Sequence, residues 1–434
     1  MNLLIMRAWV TAAVVSLSAS LSLAADLPEQ VTHAAFPETD ADLARLGRDL
    51  FYDPILSGNM NISCGTCHHP SLGSADGMSL SIGEGGAGLG DRRQIIAGQE
   101  PPARIPRNAP ALWNLGAYEF STMFHDGRVE LDDSARFGLR MPEDRPLERA
   151  LGSPLAAQAM LPPLSPEEMA GQPGENAVAD AVALGDATLA WALLARRVNA
   201  LPEYRQRFTP HIGEAPVHFT DIATALSEFI SFEFQAIDSP FDRHLRGQEA
   251  LHRNAQRGLD LFYGPAGCAA CHAGPFQTDH GFHAIAMPQL GPGKDPGHYG
   301  DRGRFHVTAA PEDRYRFRTP SLRNVALSAP YGHAGAFATL ESVIRHHAQP
   351  VPSLMRYDRT QARLHDFPFA DWQALDDQNE RIEIAAASEL PDTPLSEAEI
   401  ADLVAFLNAL TDPIAARGRL GIPESVPSGL PVDR

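Results

Sequence analysis

Apolar residues recur mainly at helical spacing along this chain, and the alternating runs typical of β-strands are scarce. Three segments, 39–54, 221–234 and 395–410, each place their large apolar residues on one helical face. The third begins with a Ser-x-x-Glu capping box, which favours a helix start at that point. Long loops rich in glycine and proline, notably 83–110 and 286–303, separate the helical segments. The pattern predicts a mainly α-helical protein with long irregular loops.

One internal repeat organises the chain. A helical segment ending in Leu-Phe-Tyr, a turn with proline and a Cys-x-x-Cys-His motif occupy 45–68 and recur at 255–272. The copies lie about one domain length apart, which implies two related modules. The helical pattern breaks at the sequence FTPHIGEAPVHF. We therefore expect an N-terminal domain over 25–215 and a C-terminal domain over 216–434.

The two motifs contain all four cysteines of the 434-residue chain. The residues concerned are Cys64, Cys67 and His68 in the first motif and Cys268, Cys271 and His272 in the second. Cys-x-x-Cys-His is the attachment signal of c-type haem: both thiols bond to one haem and the adjacent imidazole binds its iron. The alternatives are a disulfide within each pair, a four-thiolate zinc site, or a chance match. Two occurrences within a repeat favour two covalently bound haem c groups, each in a cytochrome c-like helical domain.

The first 24 residues read as a secretory signal peptide. Arg7 precedes an apolar run, and small residues stand at a cleavage site after Ala24. The apolar run is short for a membrane span, although a retained anchor is the alternative. We expect a periplasmic protein with no membrane span after cleavage.

The formal net charge of −19 limits the partners. Such a charge disfavours nucleic acid and anionic membrane surfaces, because their phosphates would be repelled. A basic, soluble electron carrier would be attracted instead.

The chain resembles the di-haem bacterial cytochrome c peroxidases and their MauG relatives over nearly its whole mature length. The matching segments are LFYDPILSGNMNISCGTCHHP, RNAPALWN, FHDGR, SPEEMAG, RFRTPSLRNVALSAPYGHAG and TLESVIRHH. The resemblance implies a peroxidatic haem on the first motif and an electron-transfer haem on the second. It also implies hydrogen peroxide as substrate and a small cytochrome or copper protein as electron donor.

The resemblance further assigns residues on the far sides of the haems. Glu168 and Gln158 match the family's distal acid–base pair, which peroxide cleavage requires. Glu167 is the competing carboxylate, and an acidic first helical turn is the ordinary alternative. Asn108, Ser328 and Pro330 match the family's calcium ligands, one amide and two carbonyl oxygens. An Asx-type turn at Asn108 is the alternative.

Three positions depart from the family pattern. Glu84 replaces the histidine that caps the resting peroxidatic iron in the peroxidases, so this haem is expected to be open, as in MauG. His347 occupies the place of the sixth ligand of the second haem, which is methionine or tyrosine in the relatives. It also continues the apolar face of its helix, whereas His346 points aside and Met355 is a rival ligand. His125 replaces the tryptophan between the haems.

Three candidate functions are consistent with the sequence. The first is a periplasmic di-haem peroxidase, an oxidoreductase that reduces hydrogen peroxide. The second is a MauG-like enzyme that uses peroxide to oxidise residues of a partner protein. The third is a di-haem electron-transfer cytochrome without turnover, which would have no use for an acid–base pair such as Glu168 and Gln158.

Overall fold

The computed structural model describes residues 26–142, 147–295 and 299–434. The expected signal peptide, 1–24, lies outside the described residues. The prediction of a mainly α-helical fold is confirmed. The helices are α1 Ala41–Tyr52, α2 Cys64–Cys67, α3 Pro154–Ala159, α4 Ala177–Ala183, α5 Ala187–Asn199, α6 Pro202–Ile212, α7 Phe219–Glu233, α8 Pro240–Leu245, α9 Arg253–Phe262, α10 Phe305–Thr308, α11 Leu340–Ala348, α12 Pro350–Met355, α13 Gln373–Asp376, α14 Gln378–Ala386 and α15 Glu397–Ala409.

The strands are short and all their pairings are antiparallel. They are β1 Gly86–Ala87, β2 Gln94–Ile95, β3 Thr122–Met123, β4 Val129–Leu131, β5 Leu139–Arg140, β6 Phe282–His283 and β7 Phe317–Arg318. β1 pairs with β2, β3–β4–β5 form one sheet, and β6 pairs with β7. These strands fasten long loops and form no extended sheet. In the described part of the chain no helix is long and apolar enough to cross a membrane.

The two repeats build the same helix crossing. α1 packs against α7, and α9 packs against α15. At each crossing a glycine of the repeat meets a backbone carbonyl: a Cβ on Gly47 would overlap the Ala225 oxygen, and one on Gly258 would overlap the Asp402 oxygen. Glycine is needed at both positions because any side chain would push the helices apart. The repeat therefore extends beyond its sequence signature to a partner helix in each module.

The position of α7 bears on the expected domain boundary. Phe219, Ile222 and Phe229 lie in one hydrophobic cluster with Leu50 and Phe51 of α1. A boundary at residues 215/216 would separate α7 from the core into which it packs. Because α7 corresponds to α15 of the second module, we propose that the boundary follows α7.

The end of the chain returns to the N-terminal module. Val426 is buried in the N-terminal core. The carboxylate of Glu233 accepts hydrogen bonds from the backbone amides of residues 419–421. Thr66, between the cysteines of the first motif, donates to Asp433 at 2.6 Å. The last residues thus form a strap, 415–434, across the first module.

The C-terminal half contains two further hydrophobic clusters. The first cluster joins α8, α9 and α15 and includes Phe241, Leu259, Phe262, Leu403 and Phe406. The second lies under the loops around α12 and α14 and includes Met287, Tyr315, Phe337, Leu354 and Ile384.

Candidate haem sites

The first Cys-x-x-Cys-His motif folds as a single helical turn, α2. Ser63 and Thr66 form a capping box at its start. Gly65 lies against Tyr52, and a Cβ there would overlap the tyrosine ring. Both thiols are free of disulfide bonds, and burial raises the pKa of Cys64 and of Cys67 to about 12. The thiols are therefore neutral and in no disulfide, and both remain available for bonding to haem vinyl groups.

His68 is held in the orientation of a metal ligand. Its Nδ1 lies 3.0 Å from the carbonyl oxygen of Ser74, which can only accept a hydrogen bond. Nδ1 therefore carries the proton, and Nε2 keeps the lone pair that binds a metal. Burial lowers the pKa of His68, which favours the neutral imidazole. The adjacent His69 instead lies with Nδ1 2.6 Å from the Ser71 hydroxyl, within a local turn.

A cavity in front of His68 brings the predicted residues together. Cys64, Cys67, His68, Gln158 and Glu168 all line it. Its apolar wall is formed by the following side chains: Phe51, Leu56, Ile62, Leu112, Leu155, Met169, Leu226 and Ile230. Apolar walls, two thiols and one imidazole suit a haem, so the residues present fit the group that the sequence predicts.

Glu168 and Gln158 are the polar groups of the predicted distal pair. Glu168 lies in a π-helical turn, Pro166–Ala170, that Ser165 caps. Burial raises the pKa of Glu168, and the nearby charges of Arg128 and Lys294 oppose this effect. The Oε1 atom of Gln158 is buried with no hydrogen-bond partner among the described residues. Glu167 is not among the residues that line the cavity.

Glu84, at the position of the family's capping histidine, is held away from the cavity. Its Oε1 accepts hydrogen bonds from the amide groups of Asn59 and Asn61. Its backbone amide donates to the carbonyl oxygen of Glu167 at 3.0 Å. Glu84 does not line the cavity. The side chain of Glu84 therefore does not lie in front of His68 in this structure.

The Glu84 loop is also fixed by a buried arginine. The guanidinium of Arg93 donates to the carbonyl oxygens of Ile82, Gly83 and Gly88. A Cβ on Gly83 would overlap the Glu167 carbonyl oxygen and lie 2.7 Å from that of Glu168. The loop and the Glu168 turn are therefore packed as one unit.

In the second motif, the imidazole of His272 faces a second imidazole, that of His347. Nδ1 of His272 lies 3.1 Å from the Gln277 carbonyl, and Nδ1 of His347 lies 2.8 Å from the Val343 carbonyl. Their ring centres are 6.5 Å apart. A metal ion about 2.0 Å from each Nε2 requires roughly this separation. Burial lowers the pKa of both imidazoles, that of His272 to about 4, so both are neutral and able to bind a metal.

The two rival ligands point elsewhere. His346 is fully buried against Phe337, and its Nε2 lies 2.8 Å from the Ile285 carbonyl. Met355 ends α12 and remains 38% exposed. The geometry favours the predicted His347 over both.

The thiols of the two motifs do not form a common zinc site. Within the described ranges, the only group of three or more potential metal ligands consists of Cys271, Asp279 and His283. This group contains a single sulfur. His283 Nε2 is paired with the Asp279 carboxylate at 2.8 Å. The four-thiolate alternative is therefore excluded.

The three predicted calcium ligands are Asn108, Ser328 and Pro330. Nδ2 of Asn108 donates to the carbonyl of Met78 at 2.8 Å, and the Asn108 backbone amide donates to the His333 carbonyl. Across the described residues no hydrogen bond links Asn108 to Ser328 or Pro330. Calcium binding stays a prediction.

His125 lines the first cavity in place of the family's tryptophan. The Nε2 atom of His125 lies 3.1 Å from the Asn108 carbonyl oxygen. The backbone amide of Arg318 donates to the carbonyl oxygen of His125. Burial lowers the pKa of His125 to about 4, and Arg107 adds to this shift. It is therefore a neutral group.

Sequence reasoning missed three cations of the same cavity: Arg107, Arg128 and Lys294. Arg128 follows His125 closely, so the FHDGR segment could have pointed to it. Lys294 belongs to a glycine- and proline-rich loop of the C-terminal half, and no local pattern indicates where such a loop packs.

The family relationship is clear from known proteins. The family model for di-haem cytochrome c peroxidase matches residues 41–250. Methylamine utilization protein MauG of Methylorubrum extorquens is 32% identical over 323 residues, 74% of this chain and 72% of that protein. Cytochrome c551 peroxidase of Nitrosomonas europaea is 31% identical over 323 residues, 74% of this chain and 77% of that protein.

Solved structures agree with this relationship. A MauG-like protein associated with microbial copper homeostasis has a TM-score of 0.60 at 27% identity, covering 92% of this chain and 97% of that one. The diheme peroxidase BthA from Burkholderia thailandensis, at 22% identity, shares the fold with a TM-score of 0.60, covering 95% and 97%.

The chain belongs to the di-haem cytochrome c peroxidase family. The predicted family, fold class and peroxidase-type oxidoreductase activity are confirmed, and membership implies two haem c groups.

Proposed function

We propose that this protein reduces hydrogen peroxide at an open haem in the N-terminal module, with electrons entering through the C-terminal haem. The supporting observation is the difference between the groups opposite the two proximal imidazoles. Glu168 and Gln158 share the cavity of His68, whereas His347 stands opposite His272. An open iron beside acid–base groups suits reaction with an oxidant, and an iron held by two imidazoles suits electron transfer.

A haem held by Cys64, Cys67 and His68 would supply the redox iron at which peroxide is reduced. The overall reaction joins one hydrogen peroxide, two electrons and two protons into two waters. The chain's own task is therefore to move protons. Glu168 in its carboxylate form accepts a proton from the bound peroxide and returns it to the departing oxygen. The unpartnered Oε1 of Gln158 accepts a hydrogen bond from the peroxide and so orients it.

The cavity tunes Glu168 for this exchange. Burial raises its pKa above the ordinary carboxyl value, while Arg128 and Lys294 limit the rise. A carboxyl whose pKa lies nearer the working pH both accepts and donates a proton readily. Hydrophobic walls exclude bulk water from the exchange.

The physiological setting follows from the sequence. We propose export to the periplasm through segment 1–24, and a small cytochrome or copper protein with a basic surface as the electron donor. The net charge of −19 would attract such a donor. We also propose one calcium ion at Asn108, Ser328 and Pro330.

A pair of neighbouring glutamates tests the role of Glu168. Glu168→Gln should slow the reaction of the haem with peroxide by roughly a hundredfold, the usual contribution of a general acid–base group. Glu167→Gln is the matched control and should react at the wild-type rate. Cyanide binding to the first haem should survive in both variants. A Glu168→Gln protein that reacts normally with peroxide would reject the assignment.

A MauG-like activity is the second candidate, and the position of Glu84 favours it. Because Asn59 and Asn61 hold Glu84 away from the cavity, the oxidised protein should react with peroxide without prior reduction. Fast peroxide turnover with a small cytochrome or copper protein supports the peroxidase. Slow turnover with such donors, together with oxidised aromatic residues on a partner protein in mass spectra, supports the MauG-like enzyme.

A further inference from the structure

Three cations meet two carboxylates at one edge of the N-terminal cavity. Arg107 binds Asp301 through two nitrogens, at 2.7 and 2.8 Å, and approaches Asp126 at 2.7 Å. Arg128 binds Asp126 at 3.0 Å. The third cation is Lys294. The two arginines thus use both carboxylates, and Lys294 forms no ion pair among the described residues.

The other titratable groups at this edge do not neutralise Lys294. Burial lowers the pKa of His125 to about 4 and that of His333 to about 3, so both are uncharged. Glu168 lines the same cavity but forms no ion pair with Lys294 in the described structure. Apart from Glu168, the three cations therefore outnumber the two carboxylates at this edge by one.

Backbone contacts hold the described residues on both sides of Lys294. The backbone amide of Lys294 donates to the carbonyl of Gly300 at 2.8 Å. The Asp301 backbone amide donates to the Gln289 side chain at 2.9 Å. A Cβ on Gly293 would overlap the carbonyl oxygens of Tyr299 and Gly300, so these residues pack closely. Lys294 is therefore held at the cavity by backbone contacts rather than by a partner for its own charge.

Composition makes this position unusual. Lys294 is the only lysine in the sequence, and every other basic side chain apart from histidine is arginine. An ammonium group is a compact charge on a flexible stem. Burial lowers the pKa of Lys294 to about 8, and the neighbouring Arg128 and Arg107 contribute to this shift. An anion in the cavity would relieve this unfavourable environment.

We propose that Lys294 binds a propionate carboxylate of the haem in the N-terminal cavity, so that the C-terminal half supplies a residue of the first haem site. The inference rests on the proposed presence of a haem at His68. Haem carries two propionates, and the excess positive charge lies at one edge of a cavity that is otherwise largely apolar. Because a nearby positive charge disfavours the more positive ferric state, Lys294 in this place would raise the midpoint potential of the first haem.

The midpoint potential of the first haem tests this pairing without any turnover. Lys294→Met should lower the potential by about 59 mV, a tenfold change in a one-electron equilibrium. Lys294→Arg should retain most of the wild-type value. Arg196→Met removes an exposed charge on α5 and is the matched control for net charge; its potential should equal that of the wild type. The potential of the second haem should be the same in all variants.

Chemical modification provides a second measurement on the folded holoprotein. Because Lys294 is the only lysine, acetylation of amines with a water-soluble reagent changes this side chain and the chain's amino terminus alone. Acetylated wild type should show the lowered potential of Lys294→Met. Acetylated Lys294→Arg should not, because it can react only at its terminus.

A potential in Lys294→Met equal to that of Arg196→Met would overturn the pairing. If that variant also reacted more slowly with peroxide, Lys294 would be assigned to Glu168 instead. These outcomes do not depend on the result with Glu168→Gln, so this inference and the proposed function can fail separately.

Discussion

The two Cys-x-x-Cys-His sites are alike on the proximal side and different on the distal side. In both, a glycine of the preceding helix allows a close helix crossing, at Gly47 and at Gly258. In both, the proximal imidazole is oriented by a carbonyl a few residues downstream. The proximal half of each site is thus a property of the repeated module.

The distal halves come from unrelated elements. The first site receives Glu168 from a π-helical turn and Gln158 from α3, whereas the second receives His347 from α11. One arrangement leaves room and acid–base groups in front of the iron position, and the other fills that position with an imidazole. Under the proposed function, one repeated module would serve two roles that differ in the group placed opposite its histidine.

Removal of the thiols should have the largest effect on this comparison. Cys64→Ser with Cys67→Ser should leave one covalent haem, because only the second motif could still attach one. A pyridine haemochrome assay counts the haems, and a denaturing gel shows whether haem stays with the chain. The matching change of Cys268 and Cys271 is the control. Two haems retained in either variant would contradict the assignment.

Replacement of His347 should make the second site resemble the first. His347→Gly should convert the second haem from low spin to high spin, because its sixth ligand is lost. Electron paramagnetic resonance of the ferric protein measures the change. His346→Gly and Met355→Ala should both remain low spin. A spin change in Met355→Ala alone would show that the helix-face argument is incorrect.

A single added methyl group should disturb the first site only. Gly83→Ala would overlap the carbonyl of Glu167 and displace the turn that carries Glu168. A displacement near 1 Å lowers rates by up to about a hundredfold. We expect peroxide to react about ten- to a hundredfold more slowly, with the second haem's spectrum unchanged. Gly152→Ala, with no atom within 4 Å of its added carbon, should match the wild type.

The smallest expected effect is a pH dependence of the peroxide reaction rate at the first site. Burial raises the pKa of Glu168. On acidification its carboxylate is therefore protonated at a higher pH than that of an ordinary glutamate. The peroxide rate should be full above this pKa and fall as the pH decreases through it. Stopped-flow rates between about pH 4 and 8 would locate the decrease. Glu168→Gln should lack it, and the spectrum of the second haem should not follow it.

Local patterns predicted the helices well. The segment 39–54 forms α1 because Asp40 caps its first turn through the amides of residues 42 and 43. The predicted Ser396–Glu399 capping box is present at the start of α15. Such features depend on residues a few positions apart, which a sequence shows directly.

Contacts between distant segments were harder to predict. The stripe that ends at His347 could be read from one helix, and the structure places it opposite His272. Lys294, in contrast, reaches the first cavity only because a long loop of the other half folds back over it. The packing of α7 likewise depends on a crossing with α1 that no local periodicity encodes.

The strap formed by 415–434 has a consequence for how the molecule is made. Thr66 and Asp433, which it joins, are 367 residues apart in the chain. A ribosome delivers the first motif early and the strap last, so the contact can form only when elongation is complete. Although Cys64, Cys67 and His68 are translated early, the packing of the first module is therefore complete only after the strap has been made.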